Sequence, residues 1–189
     1  KLSEKKTDLG EIYLKKLKIT KNKKSTTNKW LFNYQYAGII AKAIPNAKII
    51  HCYRNPLDNI LSIYRAHFAT GNNFASSLVD SAAVYSDHEE IMKIYKKEFK
   101  DHIYELNYDE LVTHPSEEIK SLIRWLGWKW DDLYLSPHLN KRKISTRSNV
   151  QVRSPINTKS LGGWKNYKEM LRPAMEIITQ KDKYKDLKY

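Results

Sequence analysis

Ile49-Ile50-His51-Cys52-Tyr53-Arg54-Asn55-Pro56-Leu57-Asp58-Asn59-Ile60-Leu61-Ser62 runs an apolar, β-branched strand through an arginine into a proline-started helix. Asn55 is suited to cap that helix. Pro56 fits its first position, where no N–H is needed, and Asp58 lies in the first turn near the positive end of the helix dipole. Arg54 then stands at the carboxyl end of a strand, the place where open α/β sheets bind ligands, and a guanidinium there can grip a phosphate with two parallel hydrogen bonds. Ser62, two turns into the helix, is within reach of the same anion. The plainer alternative is that Arg54 caps a neighbouring element and Ser62 is one more surface hydroxyl.

Working outward, the periodicity predicts a lysine-rich helix over Leu9–Leu17, a polar loop through Asn28, and a helix over Phe32–Ala43 whose Tyr36, Ile39, Ile40 and Ala43 share one face. The strand Lys48–Tyr53 follows. The next helix, Leu57–Phe68, is expected to bury Leu57, Ile60, Leu61, Tyr64 and Phe68. Gly71-Asn72-Asn73 marks a loop before a long helix over Ser76–Phe99 and a second strand over Ile103–Asn107. Pro115 starts a helix that Gly127 stops, with Trp125 and Trp128 as core or rim aromatics. Asp131–Arg153 reads as mostly irregular, and a last helix begins near Gly163. Strands alternating with helices imply an α/β fold with a parallel sheet flanked by helices.

The chain of 189 residues, with 41% hydrophobic content, is long enough for one buried core and corresponds to one domain. Its net charge of +13 favours polyanionic partners, nucleotide phosphates among them, without selecting one. Scattered lysine is equally the mark of a solvated surface. Cys52 is the single cysteine, so no intrachain disulfide is possible and a reducing, cytoplasmic compartment is favoured. No apolar run reaches membrane-spanning length and no signal-peptide pattern is visible. Cys, His, Asp and Glu do not cluster at metal-ligand spacing, so no metal is expected. His51 reads as a strand residue on the side of Ile49 and Tyr53 rather than as a general base, and His67 and His88 receive no role.

The Arg54 and Ser62 spacing, after the lead-in Pro45-Asn46-Ala47-Lys48, closely resembles the 3'-phosphate-binding strand, loop and helix of sulfotransferases that use 3'-phosphoadenylyl sulfate (PAPS). Upstream, Thr27-Asn28-Lys29 with Asn33, Gly38 and Ile40 resembles the lysine-bearing segment of the tyrosylprotein and bacterial repeat-linked branches. Downstream, Asn107-Tyr108-Asp109-Glu110-Leu111-Val112 is similar to the family's Tyr-Glu-Asp-Leu-Val box. Ser148 to Pro155 together with Lys159-Ser160-Leu161-Gly162-Gly163-Trp164-Lys165-Asn166-Tyr167 is similar to its C-terminal nucleotide-covering loop.

The resemblance implies a sulfotransferase fold of the P-loop nucleotide hydrolase kind, a bacterial origin and a nucleotide partner, PAPS or its product PAP. It implies Lys29 against the transferred sulfonate and Ser148 near the leaving group. Arg54, Ser62, Tyr108, Arg153, Lys159 and Lys165 are then the nucleotide ligands. The family's position before the loop tryptophan is often basic and is Gly163 here, which leaves Lys159 and Lys165 as rivals for one task. The glycine-bearing loop that wraps the 5'-phosphosulfate has no counterpart in the sequence, and the chain begins at Lys1. We therefore expect an N-terminally incomplete domain: helix and polar loop over 1–28, α/β core over 29–127, irregular covering loop over 128–165, and helix with basic tail over 166–189. The expected reaction is sulfonyl transfer to a hydroxyl or amine of a small-molecule, carbohydrate or protein acceptor. Two alternatives stay open: a catalytically inactive module that keeps the fold and binds PAP or a partner, and a basic nucleic-acid-binding domain using Trp125, Trp128, Trp130 and Lys129.

Overall fold

The computed structural model describes residues 9–16, 25–66, 68, 71–140 and 152–187. They fall into two compact units, one drawn from 1–49 and 88–103 and the other from 50–87 and 104–189. The α/β architecture read from the sequence is present. Strand β1 (Ile49–Tyr53) pairs with β2 (Ile103–Asn107) in a two-stranded parallel sheet, and helices make up most of the rest. Along β1 the side chains alternate as a pleat requires: His51 is buried and stacks on Tyr53 at 5.8 Å, while Ile50 and Cys52 face outward.

The first unit contains α1 (Leu9–Lys16), a 3₁₀ turn (Leu31–Tyr36), α2 (Ala37–Ala43) and the second half of α4 (Leu78–Glu98). Its core gathers Ala37, Met92 and Ile103, with Tyr34, Ile49, Tyr95 and Phe99 packed around them. The expected helix over Phe32–Ala43 is thus split, and its expected inner face is wrong. Tyr36 and Ile39 are exposed, whereas Ala37, Gly38 and Ala41 are buried. The physical reason is close approach, because the small residues let the ring of Tyr95 on α4 come against the α2 backbone.

In the second unit α3 (Pro56–Arg65), the first half of α4 and α7 (Lys168–Ile178) enclose Leu57, Ile60, Leu61, Ala82, Tyr85, Trp164, Leu171, Met175 and Ile178. The leucine, isoleucine and methionine side chains among them contribute about 1.5–3 kcal/mol each. Helix α3 stops at Arg65, where Ala66 turns extended, so Phe68 is not on the helix at all, and both it and Tyr64 are exposed. Between β2 and α7 lie α5 (Tyr108–Thr113) and α6 (Pro115–Leu126), then short 3₁₀ turns. Gly127 ends α6 in the left-handed conformation, φ 74°, as its position predicts, with Trp125 against Tyr104 and Trp128 exposed at the rim. No helix among the described residues is long and apolar enough to cross a membrane.

Candidate phosphate-binding site

Each strand leads into a helix capped by an asparagine, Asn55 two residues past the end of β1 and Asn107 the last residue of β2. The Asn55 side chain accepts the N–H groups of Leu57 and Asp58 at 3.0 and 3.2 Å, and that of Asn107 accepts the N–H of Asp109 at 2.9 Å. These caps fix where Arg54 and Tyr108 emerge. The Arg54 side chain is 15% exposed and its guanidinium lies 4.8 Å from the centre of the Tyr108 ring, a cation–π contact. One of its terminal nitrogens, Nη2, donates to the Ser160 carbonyl at 2.6 Å and lies 3.5 Å from Asp58. Its Nε faces Asp109 Oδ1 at 3.8 Å, and both atoms are buried without a hydrogen-bond partner. The other Asp109 oxygen accepts the N–H of Asn55 at 2.8 Å. Arg54 is therefore desolvated and oriented, facing the carboxylates of Asp58 and Asp109.

Asp58 is the residue that local reading undervalued. Its role as a first-turn carboxylate is real, but its side chain is buried and accepts two backbone N–H groups from the far end of the chain. Gly162 donates at 2.8 Å to one oxygen and Trp164 at 2.9 Å to the other. Gly162 takes φ 65°, a left-handed conformation that suits glycine, and opens the 3₁₀ turn Gly163–Tyr167. Trp164 then drops into the core of the second unit.

The structure brings some of the candidate ligands together. Arg54 and Tyr108 are in contact, and Ser160, the neighbour of Lys159, meets Arg54. The Lys165 side chain folds over Gly162: a Cβ built there would lie 3.7 Å from its Cε and 3.9 Å from its Nζ. Lys159 is exposed, with its backbone N–H on the Asn157 side chain at 3.2 Å. Ser62 is on the outer surface of α3. Arg153 donates to the Asn140 carbonyl, and Lys29 is an exposed residue of the first unit. Ser148 lies outside the described residues.

A groove of about 380 Å³ opens beside the strand ends, lined by Tyr53, Arg54, Asn107, Asp109, Lys183 and Tyr184 among others. The Tyr85 hydroxyl donates to the Arg54 carbonyl at 3.2 Å and lies 3.3 Å from the hydroxyl of Tyr184, which ties the C-terminal turn to the same strand end. Neither tyrosine was legible as a site residue, because each depends on a partner remote in sequence.

A family model described as "Sulfotransferase family" matches residues 4–132, which include Lys29, Arg54, Ser62 and Tyr108. An uncharacterised protein of Aquifex aeolicus (strain VF5) is 36% identical over 151 residues, 78% of this chain and 20% of that protein. Protein-tyrosine sulfotransferase 1 of Danio rerio is 26% identical over 145 residues, 72% of this chain and 41% of that protein. The chain thus spans a fifth to two fifths of the length of these curated relatives.

Proposed function

Because the chain belongs to the sulfotransferase family, we propose that it binds PAPS with its 3'-phosphate at Arg54 and passes the sulfonyl group to a hydroxyl or amine acceptor, releasing PAP. The observation that carries this reading is the Arg54 guanidinium, desolvated at a strand end and held there by the Ser160 carbonyl and the Tyr108 ring. A planar fork fixed in this way matches a phosphate, and its desolvation is already met by the fold. Bound there, the nucleotide would supply an activated sulfonyl group: as the acceptor forms its bond to sulfur and gives up its proton to solvent, the sulfur–oxygen bond to the 5'-phosphate breaks and the electron pair leaves with PAP.

The protein's own share of such a reaction is alignment and charge stabilisation. In this reading Arg54, Tyr108 and Ser62 hold the 3'-phosphate end, and Lys159, Lys165 and Arg153 close over it. Lys29 meets the charge that grows on the sulfonyl oxygens, and Ser148 donates near the leaving oxygen. Acceptor choice belongs to variable loops. The name of the Danio rerio relative makes a tyrosine-containing peptide the first acceptor to assay, ahead of carbohydrate and small-molecule hydroxyls.

The test is a calorimetric titration of the protein with PAP and with AMP, which lacks the 3'-phosphate, repeated on Arg54→Ala. We expect a preference for PAP that Arg54→Ala abolishes, a loss of roughly tenfold or more from charge-assisted hydrogen bonds worth about 1.5–3 kcal/mol. Equal affinity for the two nucleotides in the unmodified protein would overturn the reading. Transfer of labelled sulfonate from PAPS to the peptide then separates an enzyme from a module that only binds.

A further inference from the structure

We infer that Asp58 is a positioning residue that makes the site selective for a nucleotide with a 3'-phosphate, by clamping the covering segment Ser160–Lys165 to Arg54. The inference rests on the function proposed above and deepens it. Five residues close a ring: Arg54 donates to the Ser160 carbonyl at 2.6 Å, Gly162 and Trp164 donate to the two oxygens of Asp58 at 2.8 and 2.9 Å, and Asp58 lies 3.5 Å from Arg54. Arg54 stands just before the capping Asn55 and Asp58 in the first turn of α3, so the ring has one side at the start of α3 and a loop side on the covering segment.

The loop side carries the cations. Lys165 lies against Gly162, whose N–H is one of the two that Asp58 holds, and Lys159 immediately precedes Ser160, whose carbonyl Arg54 holds. Trp164, the other N–H partner, seals the ring from below with its side chain in the core. A buried carboxylate with both oxygens committed to backbone donors is not a solvated surface charge. It determines where the loop sits and therefore where the lysines stand relative to Arg54.

The sign of one experiment separates positioning from simple electrostatics. A carboxylate 3.5 Å from the phosphate-binding guanidinium repels an anion, so removing its charge should tighten PAP binding if charge were its whole effect. If Asp58 positions the clamp, Asp58→Asn, which offers one acceptor oxygen in place of two, weakens PAP binding instead.

The experiment titrates PAP and AMP into the protein, Asp58→Asn, Lys165→Ala and the double variant, with thermal melts to show each is folded. We expect Asp58→Asn to lose roughly tenfold or more in PAP affinity with AMP affinity changed far less, and the double variant to lose less than the two single losses multiplied. Tighter PAP binding, or equal losses for PAP and AMP, overturns the inference. Should Asp58→Asn fail to fold, Asp58→Glu keeps the charge and both oxygens but shifts them by one methylene, and the same selective loss of PAP is expected. An unmodified protein that does not distinguish PAP from AMP refutes the proposed function itself, which keeps the two failures apart.

Discussion

Gly38 lies directly beneath the ring of Tyr95, so close that a Cβ on Gly38 would stand 2.5 Å from Tyr95 Cε1 and 2.9 Å from its Cδ1. The ring is anchored at its other end, where the hydroxyl donates to the Gln35 carbonyl at 3.3 Å. Helix α2 therefore meets α4 through a missing side chain. Alanine in place of a helical glycine ordinarily stabilises by about 0.5–1 kcal/mol. At this position overpacking of about 1–3 kcal/mol opposes it, so Gly38→Ala should lower the denaturant midpoint. In a Tyr95→Ala background the same change should be neutral or favourable; destabilisation of equal size in both backgrounds argues against the contact.

Arg54→Lys should fail to restore what Arg54→Ala loses. Lysine keeps the charge but has no planar fork with which to hold Ser160 and a phosphate together, and it leaves Asp109 without its facing guanidinium. The expected outcome is PAP affinity far closer to the alanine variant than to the parent, since a point charge lacks the bidentate geometry. Near-normal affinity in Arg54→Lys would show that charge alone suffices.

Of the two rival lysines, Lys165 is expected to matter more. Its side chain is drawn over Gly162, a member of the ring that Asp58 closes, whereas Lys159 is held by its backbone N–H on Asn157. Lys165→Ala should weaken PAP by about two- to fivefold more than Lys159→Ala, the scale of one exposed charge contact. Parallel titrations at low and high salt check the assignment, because the difference should shrink as salt screens it. The reverse order would move the covering role to Lys159.

Asn55→Ala should cost stability and site geometry together. The side chain it removes caps two N–H groups of α3, a loss of about 0.5–2 kcal/mol, and the residue lies between Arg54 and the helix that carries Asp58. Asn55→Ser retains an acceptor and should recover most of the midpoint in urea. An alanine variant as stable as the parent would mean the cap is idle.

Much of the second unit was legible in the sequence because its signals are local. The capping Asn55, the proline at the first position of α3, and Gly127 at the end of α6 each act within a turn of their own position, and the structure places them where the pattern does. What could not be read depends on distance. The partners of Asp58 are 104 and 106 residues away, so the sequence around it offers only the dipole argument, which is true but secondary. The misassigned face of α2 has a related cause: periodicity weighs the size of apolar residues, but the face that Tyr95 approaches is selected for smallness, through Ala37, Gly38 and Ala41. Phe68 leaves the expected inner face because the chain turns extended after Arg65, whereas Tyr64 is on α3 and exposed all the same.

The pleat of β1 that hides His51 also turns Cys52 outward, and this is the single cysteine of the sequence. A thiol-reactive dye will therefore attach at one address, two residues before the arginine on which the nucleotide reading depends. Fluorescence from that address lets occupancy be followed in real time and at concentrations far below those calorimetry needs.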